Sequence, residues 1–191
     1  MENVLKPSPD SSIVVFGLGA VGLSAIMAAK YLNVRQIIAV DIFDHKLPLA
    51  KDLGATDVVN STKTEDLVQH IKDLTGGGGV DYAVDCSGVP AVIEAMLSML
   101  GMRGTAATVG VPPAGTKISI DPMLYLLGSR GYKGVREGDS NPPIYIPHLC
   151  NLQKEGKFPV EKLCKVYQYQ DIEIALKELK DGKVTKPVIK W

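Results

Sequence analysis

Gly17-Leu18-Gly19-Ala20-Val21-Gly22 is a G-x-G-x-x-G run set between an apolar, β-branched stretch, Ser12-Ile13-Val14-Val15-Phe16, and an Ala-, Leu- and Ile-rich stretch from Ala20 to Leu32. Alone the motif is weak, because glycine is common. Between a strand and a helix it acquires a chemistry. The first glycine permits a tight turn with positive φ, the second lets bare main chain approach a diphosphate, and the third lets the helix pack closely on the strand. The helix start adds free N–H groups and a partial positive charge. A glycine-rich turn with no ligand is the alternative, and Asp41 weighs against it. Asp41 ends a second apolar run, Gln36-Ile37-Ile38-Ala39-Val40-Asp41. It follows the last motif glycine by about 20 residues, the separation at which a carboxylate accepts the ribose hydroxyls of a dinucleotide. The same carboxylate repels a 2′-phosphate, since like charges at about 4 Å cost ~1–4 kcal/mol. The residues therefore predict NAD over NADP. Lys46 can reach the same ribose, or soften that rejection; Asp41 as a mere helix N-cap is the duller reading.

The elements that must carry these groups alternate regularly. Strands are expected at Ser12–Phe16, Gln36–Asp41, Asp57–Asn60, Val80–Asp85, Gly104–Val109 and Lys117–Ile120. Helices are expected from Ala20 to Leu32, from Asp44 (as N-cap) to Leu53, from Thr64 to Leu74 and from Pro90 to Leu100. Gly54 suits a helix-ending position, and Gly76-Gly77-Gly78-Gly79 reads as a C-cap and flexible connection rather than a phosphate cradle, because a strand and not a helix follows it. Strand and helix in alternation predict an α/β fold with a mostly parallel, six-stranded sheet covered by helices on both faces. The last third is less regular: helix at 144–157, a strand-like stretch at 165–169, helix at 172–180, and an extended end from Lys186 to Trp191.

Composition narrows the function classes. Lysine plus arginine (21) equals aspartate plus glutamate (21), so no basic footprint for nucleic acid or an anionic membrane exists. No run of apolar residues is long enough to span a bilayer. Residues 1–10 hold no apolar core of the kind a secretory signal needs. Cys86, Cys150 and Cys164 are too few and too scattered for a disulfide framework. A reducing compartment, the cytoplasm, is expected. His148-Leu149-Cys150 lacks a third ligand at useful spacing, so no metal site is expected. His45 and His70 read as solvated.

With the turn, Asp41 and Lys46 in hand, the chain resembles the nucleotide-binding domain of the zinc-type, medium-chain alcohol dehydrogenases. The resemblance rests on Val14 to Ala25, on Ile38-Ala39-Val40-Asp41, on Leu53-Gly54-Ala55-Thr56-Asp57 and on Val109-Gly110-Val111-Pro112-Pro113. Lys133 to Ser140 is suggestive of the aryl- or benzyl-alcohol branch. The resemblance implies a doubly wound Rossmann fold and hydride transfer between an alcohol and NAD. It implies that Gly17, Leu18, Gly19, Ala20, Val21 and Gly22 wrap the diphosphate, that Asp41 and Lys46 hold the adenine-side ribose, and that Ile42 and Ser87 flank the adenine. It further implies that Cys86 lines the path to the nicotinamide ribose, that Val109, Val111 and Val135 face the nicotinamide, and that Lys186 stands where the family often has an arginine near the diphosphate. Read from the residues alone, the four apolar positions could be plain core, Cys86 a small buried hydrophobe and Lys186 a surface lysine.

The resemblance also implies a division: residues 1–11 as the tail of a helix from a preceding catalytic domain, 12–186 as the NAD-binding domain and 187–191 as a C-terminal strand. The family's catalytic zinc would sit in that other domain, leaving this chain with no catalytic or metal-binding residue and no turnover by itself. A homodimer through an edge strand at 117–120 is expected on the same ground. Polyol, threonine and glutathione-adduct dehydrogenases share these motifs, a non-catalytic NAD-binding module is a rival of another class, and a methyltransferase-type fold is disfavoured by the complete glycine motif.

Overall fold

A computed structural model describes residues 1–191. Fifteen regular elements follow one another: β1 (Ser12–Phe16), α1 (Ala20–Tyr31), β2 (Gln36–Asp41), α2 (Leu47–Leu53), β3 (Asp57–Asn60), α3 (Leu67–Leu74), β4 (Val80–Asp85), α4 (Pro90–Ser98), β5 (Leu100–Thr108), α5 (Pro122–Gly128), β6 (Gly131–Gly134), α6 (Pro142–Lys154), β7 (Cys164–Gln168), α7 (Ile172–Lys180) and β8 (Lys186–Lys190). The first six strands form one sheet in the order β3-β2-β1-β4-β5-β6, every pair parallel. That is the strand order of a doubly wound dinucleotide-binding sheet, whose ligand crevice opens where the order reverses, between β1 and β4. β7 and β8 pair with each other, in parallel, outside that sheet.

The period of two along the strands sorts the core into two layers. Ile13, Val15, Ile37 and Ala39 face one side of the sheet and pack with Leu23, Ile26 and Met27 of α1 and Leu53 of α2. Val14, Phe16, Ile38 and Val40 face the other, against Ile71 of α3 and Ile93, Met96 and Leu97 of α4. Strands buried on both faces read as continuous apolar runs, which is why they were visible in the sequence.

Three expectations about elements are corrected. The sixth strand is Gly131–Gly134, not 117–120: Thr105 to Thr108 of β5 pair with Gly131 to Gly134, so the edge expected for 117–120 is already taken. Residues 117–120 have no ladder; the Ser119 N–H donates instead to Glu94 Oε1 at 2.7 Å, and the Asp121 carboxylate caps α5 through the Met123 N–H at 2.9 Å. The third helix begins at Leu67 rather than Thr64, because the extended Asp66 accepts the Gln69 N–H at 2.9 Å while the Thr64 hydroxyl turns back to the Asn60 carbonyl. The second helix is split: Asp44–Lys46 form a single 3₁₀ turn, and α2 proper starts at Leu47. Residues 2–5 are turn, with the Lys6 N–H donating to the Met1 carbonyl at 3.0 Å.

Candidate coenzyme site

The β1–α1 turn leaves β1 through Gly17, whose φ of +86° belongs to the region that only glycine enters freely. A side chain there would also press on the main chain of Cys86 and Ser87, which follow β4. Gly22 lies on the inner face of α1, and a Cβ on it would stand 1.9 Å from the Gly17 carbonyl oxygen. These two glycines are demanded by packing. Gly19 is different: a Cβ there would meet nothing within 4 Å. Gly19 is exposed, with open space in front of it.

Gly17 N–H is used by the Val40 carbonyl, and Leu18 N–H by Asp41. The N–H groups of Gly19, Ala20, Val21 and Gly22 have no acceptor in the chain, and the helix ladder begins only when Leu23 donates to Gly19. No side chain caps α1. Four unpaired donors at the positive end of a twelve-residue helix suit an anion such as a diphosphate.

Asp41 closes the other side. Its carboxylate is buried, accepting the Leu18 N–H at 2.7 Å through Oδ2 and the Phe43 N–H at 3.0 Å through Oδ1, with the Lys46 ammonium 3.6 Å from Oδ2. Each carboxylate oxygen keeps a further lone pair for a ribose hydroxyl. The Lys46 ammonium also lies 5.0 Å from the centre of the Phe43 ring.

Two clefts meet at Cys86. One, of about 300 Å³, brings together Gly17, Leu18, Gly19, Asp41, Ile42, Lys46, Cys86 and Ser87. The other, of about 1090 Å³, is lined by Val21, Cys86, Val109, Val111 and Val135, with α1 on one side and α6 on the other. Most of the expected residues thus line two adjoining clefts that share Cys86, a smaller one holding the glycine turn and Asp41 and a larger, apolar one. Ala20 opens α1, and Gly22 lies beneath the turn, so neither is part of a wall. Lys186 is exposed at the start of β8 and lines neither cleft. Burial, reinforced by the neighbouring Asp85 charge, pushes the Cys86 thiol up to about 12, so it stays protonated in neutral solution. On the far wall the Tyr145 hydroxyl donates to the Glu2 carboxylate, and burial followed by that carboxylate raises its pKa.

Three contributors were missed in the sequence. Asp85, fully buried at the end of β4, accepts the Ser87 N–H and hydroxyl at 2.8 and 2.7 Å and the Gly88 N–H at 3.1 Å, fixing the loop that separates the two clefts. The signal was present as a strand-ending Asp followed two and three residues on by Ser and Gly, an Asx-turn pattern. Phe43 forms part of the smaller cleft. The third is a contact beside the site: His45 is exposed, as expected, and its Nε2 also lies 2.8 Å from the Gly182 carbonyl oxygen. No group of three or more His, Cys, Asp or Glu side chains fit to hold a metal ion is present, so the residues of this chain do not fit a zinc ion. No helix is long and apolar enough to cross a membrane.

Comparison with known proteins agrees with this geometry. Geraniol dehydrogenase of Castellaniella defragrans is 31% identical over 187 residues, covering 98% of this chain and 50% of its own length. Alcohol dehydrogenase 1 of Pisum sativum is 33% identical over 190 residues, with 98% and 50% covered. Among solved structures, benzyl alcohol dehydrogenase of Acinetobacter calcoaceticus superposes with a TM-score of 0.95 at 43% identity, over 99% of this chain and 52% of that one. The chain spans about half the length of these relatives. Residues 20–148 match the zinc-binding dehydrogenase family, and with most of its length matched the chain belongs to that family.

Proposed function

We propose that this chain is the NAD-binding part of an alcohol dehydrogenase. The observation that carries the reading is the set of unpaired N–H groups at Gly19, Ala20, Val21 and Gly22 in the turn that Asp41 ties to β2 through Leu18, at the point where strand order reverses. The turn binds the diphosphate through main-chain donors, and Asp41 accepts the ribose hydroxyls while disfavouring a 2′-phosphate. Lys46, paired with Asp41 and held over Phe43, lies on the ribose side. Ile42 and Ser87 flank the adenine, and Val109, Val111 and Val135 give the nicotinamide an apolar wall. When bound, NAD supplies the hydride acceptor; the chain orients it.

An aromatic alcohol as the substrate is supported by the 43% identity to a benzyl alcohol dehydrogenase and by the apolar character of the larger cleft. Zinc chemistry is assigned to the half of the enzyme that the relatives have beyond this chain, so the 191-residue chain binds NAD without oxidising alcohols. A homodimer through residues 117–120 and the adjoining α5 is part of the same proposal: Ile120, Met123, Leu126 and Leu127 are exposed there. Three free cysteines are in keeping with the cytoplasm.

The test is a fluorescence titration of the chain with NADH and NADPH, repeated on Asp41→Ala. The reading requires saturable NADH binding, weaker NADPH binding, and a ratio that collapses in the variant. An unchanged ratio contradicts it.

A further inference from the structure

Lys46 follows a residue that makes a contact far away in the chain. Its ammonium is 3.6 Å from Asp41 Oδ2, yet its four-carbon stem has many rotamers and the 3₁₀ turn that carries it, Asp44–Lys46, has no side-chain cap. The turn is tied on one side by Asp44, which accepts the Asn60 amide at 2.6 Å and pairs with Lys63, and on the other by His45. The preceding residue, His45, reaches out of the Rossmann sheet and places Nε2 2.8 Å from the carbonyl oxygen of Gly182, in the tight turn between α7 and β8. Both the neutral Nε2–H tautomer and the imidazolium donate to that carbonyl. Gly182 has φ of +70°, and a Cβ built on it would lie 3.3 Å from His45 Nε2 and 3.7 Å from Lys46 Cε. The α7–β8 turn therefore packs closely against His45, and its glycine leaves room for the Lys46 stem beside it. The contact continues through Phe43, whose ring centre is 5.4 Å from that of His45 and 5.0 Å from the Lys46 ammonium.

We propose that His45 is a positioning residue for coenzyme binding: anchored on the Gly182 carbonyl, it fixes the 3₁₀ turn and the Phe43 ring so that Lys46 stays beside Asp41 at the ribose end of the crevice. The proposal rests on the NAD reading above, and it makes the β7-α7-β8 unit, which lies outside the main sheet, a structural support of the ribose site. His45 does not touch coenzyme; it acts through Lys46.

NADH titrations of the 191-residue chain test it with His45→Ala, His45→Phe, His45→Gln, Lys46→Ala and the His45→Ala/Lys46→Ala double variant. Removing the donor by His45→Ala weakens NADH binding about three- to tenfold, the size of effect expected from freeing one long side chain. His45→Phe, which keeps a ring against Phe43 and lacks the donor, gives the same loss. His45→Gln, whose amide can reach the carbonyl, restores affinity to within about twofold, roughly the scatter of such comparisons. In the Lys46→Ala background, His45→Ala has no further effect, because the residue it positions is gone. Wild-type affinity in both His45→Ala and His45→Phe overturns the proposal. So does an equal loss with and without Lys46, which is what a general structural role would give. Wild-type chain that shows no saturation with NADH at all marks the failure of the coenzyme reading itself, and the proposal falls with it.

Discussion

Asp41 and Leu18 are joined by a buried 2.7 Å hydrogen bond in which the carboxylate of one accepts the main-chain N–H of the other. The bond ties the end of β2 to the turn after β1. One edge of the carboxylate sets the shape of the turn, while the remaining lone pairs stay free for a ribose. The proposed recognition and the architecture share the same side chain.

Asp41→Ala therefore has two consequences. The Leu18 and Phe43 N–H groups lose their acceptor, and the unfolding free energy falls by about 1–3 kcal/mol, the cost of a buried polar group left without a partner. Urea unfolding measures this. The loss of coenzyme discrimination is a separate readout, so a variant that is destabilised but still prefers NADH shows the carboxylate to be structural alone.

The motif glycines separate packing from binding. Gly22→Ala forces a methyl against the Gly17 carbonyl and destabilises the fold by about 3 kcal/mol, the upper range for overpacking. Gly19→Ala meets open space, so stability changes by less than about 0.5 kcal/mol. Its NADH affinity nevertheless falls about tenfold, since the methyl occupies the approach of the diphosphate, a loss of about 1.4 kcal/mol. Equal NADH affinity in Gly19→Ala and wild type contradicts that placement.

The three thiols differ in reactivity. Cys150 and Cys164 are exposed, whereas Cys86 is held protonated by burial and the Asp85 charge. A disulfide reagent at pH 8 titrates two thiols rapidly in the native chain and three after unfolding. Because the folded pKa of Cys86 is raised, to about 12, its contribution to stability is intact below the unfolded thiol's ordinary value of about 9 and is lost as pH climbs from there toward 12. Cys86→Ala flattens that part of the stability profile. Fast modification of all three thiols in native protein contradicts the assignment.

Sedimentation tests association. The apolar surface at Ile120, Met123, Leu126 and Leu127 predicts a species of twice the 20.5 kDa protomer, and Leu127→Asp returns it to the protomer. A wild-type chain that stays at protomer mass at high concentration removes the dimer.

The fold was legible where burial is two-sided. β1, β2 and β4 are unbroken β-branched runs, and their bounds were read to the residue because both faces of each strand are core. β6 was hidden: Gly131-Tyr132-Lys133-Gly134 is short, half exposed and begins and ends in glycine, so neither periodicity nor propensity marks it. Lys117 to Ile120 carried the better pattern and lost the edge to it. The diphosphate turn and Asp41 were legible because glycines and a carboxylate at fixed spacing state their own chemistry. The His45 contact was not, since it depends on where residue 182 arrives in space, and no local pattern records a hydrogen bond across 137 positions.

The most direct measurement is a crystal structure of the chain grown with NADH. The account predicts the diphosphate within hydrogen-bonding distance of the Gly19 and Ala20 main-chain N–H groups, and both adenine-side ribose hydroxyls on the Asp41 carboxylate. Coenzyme bound elsewhere, or a crevice left vacant at saturating NADH, contradicts it.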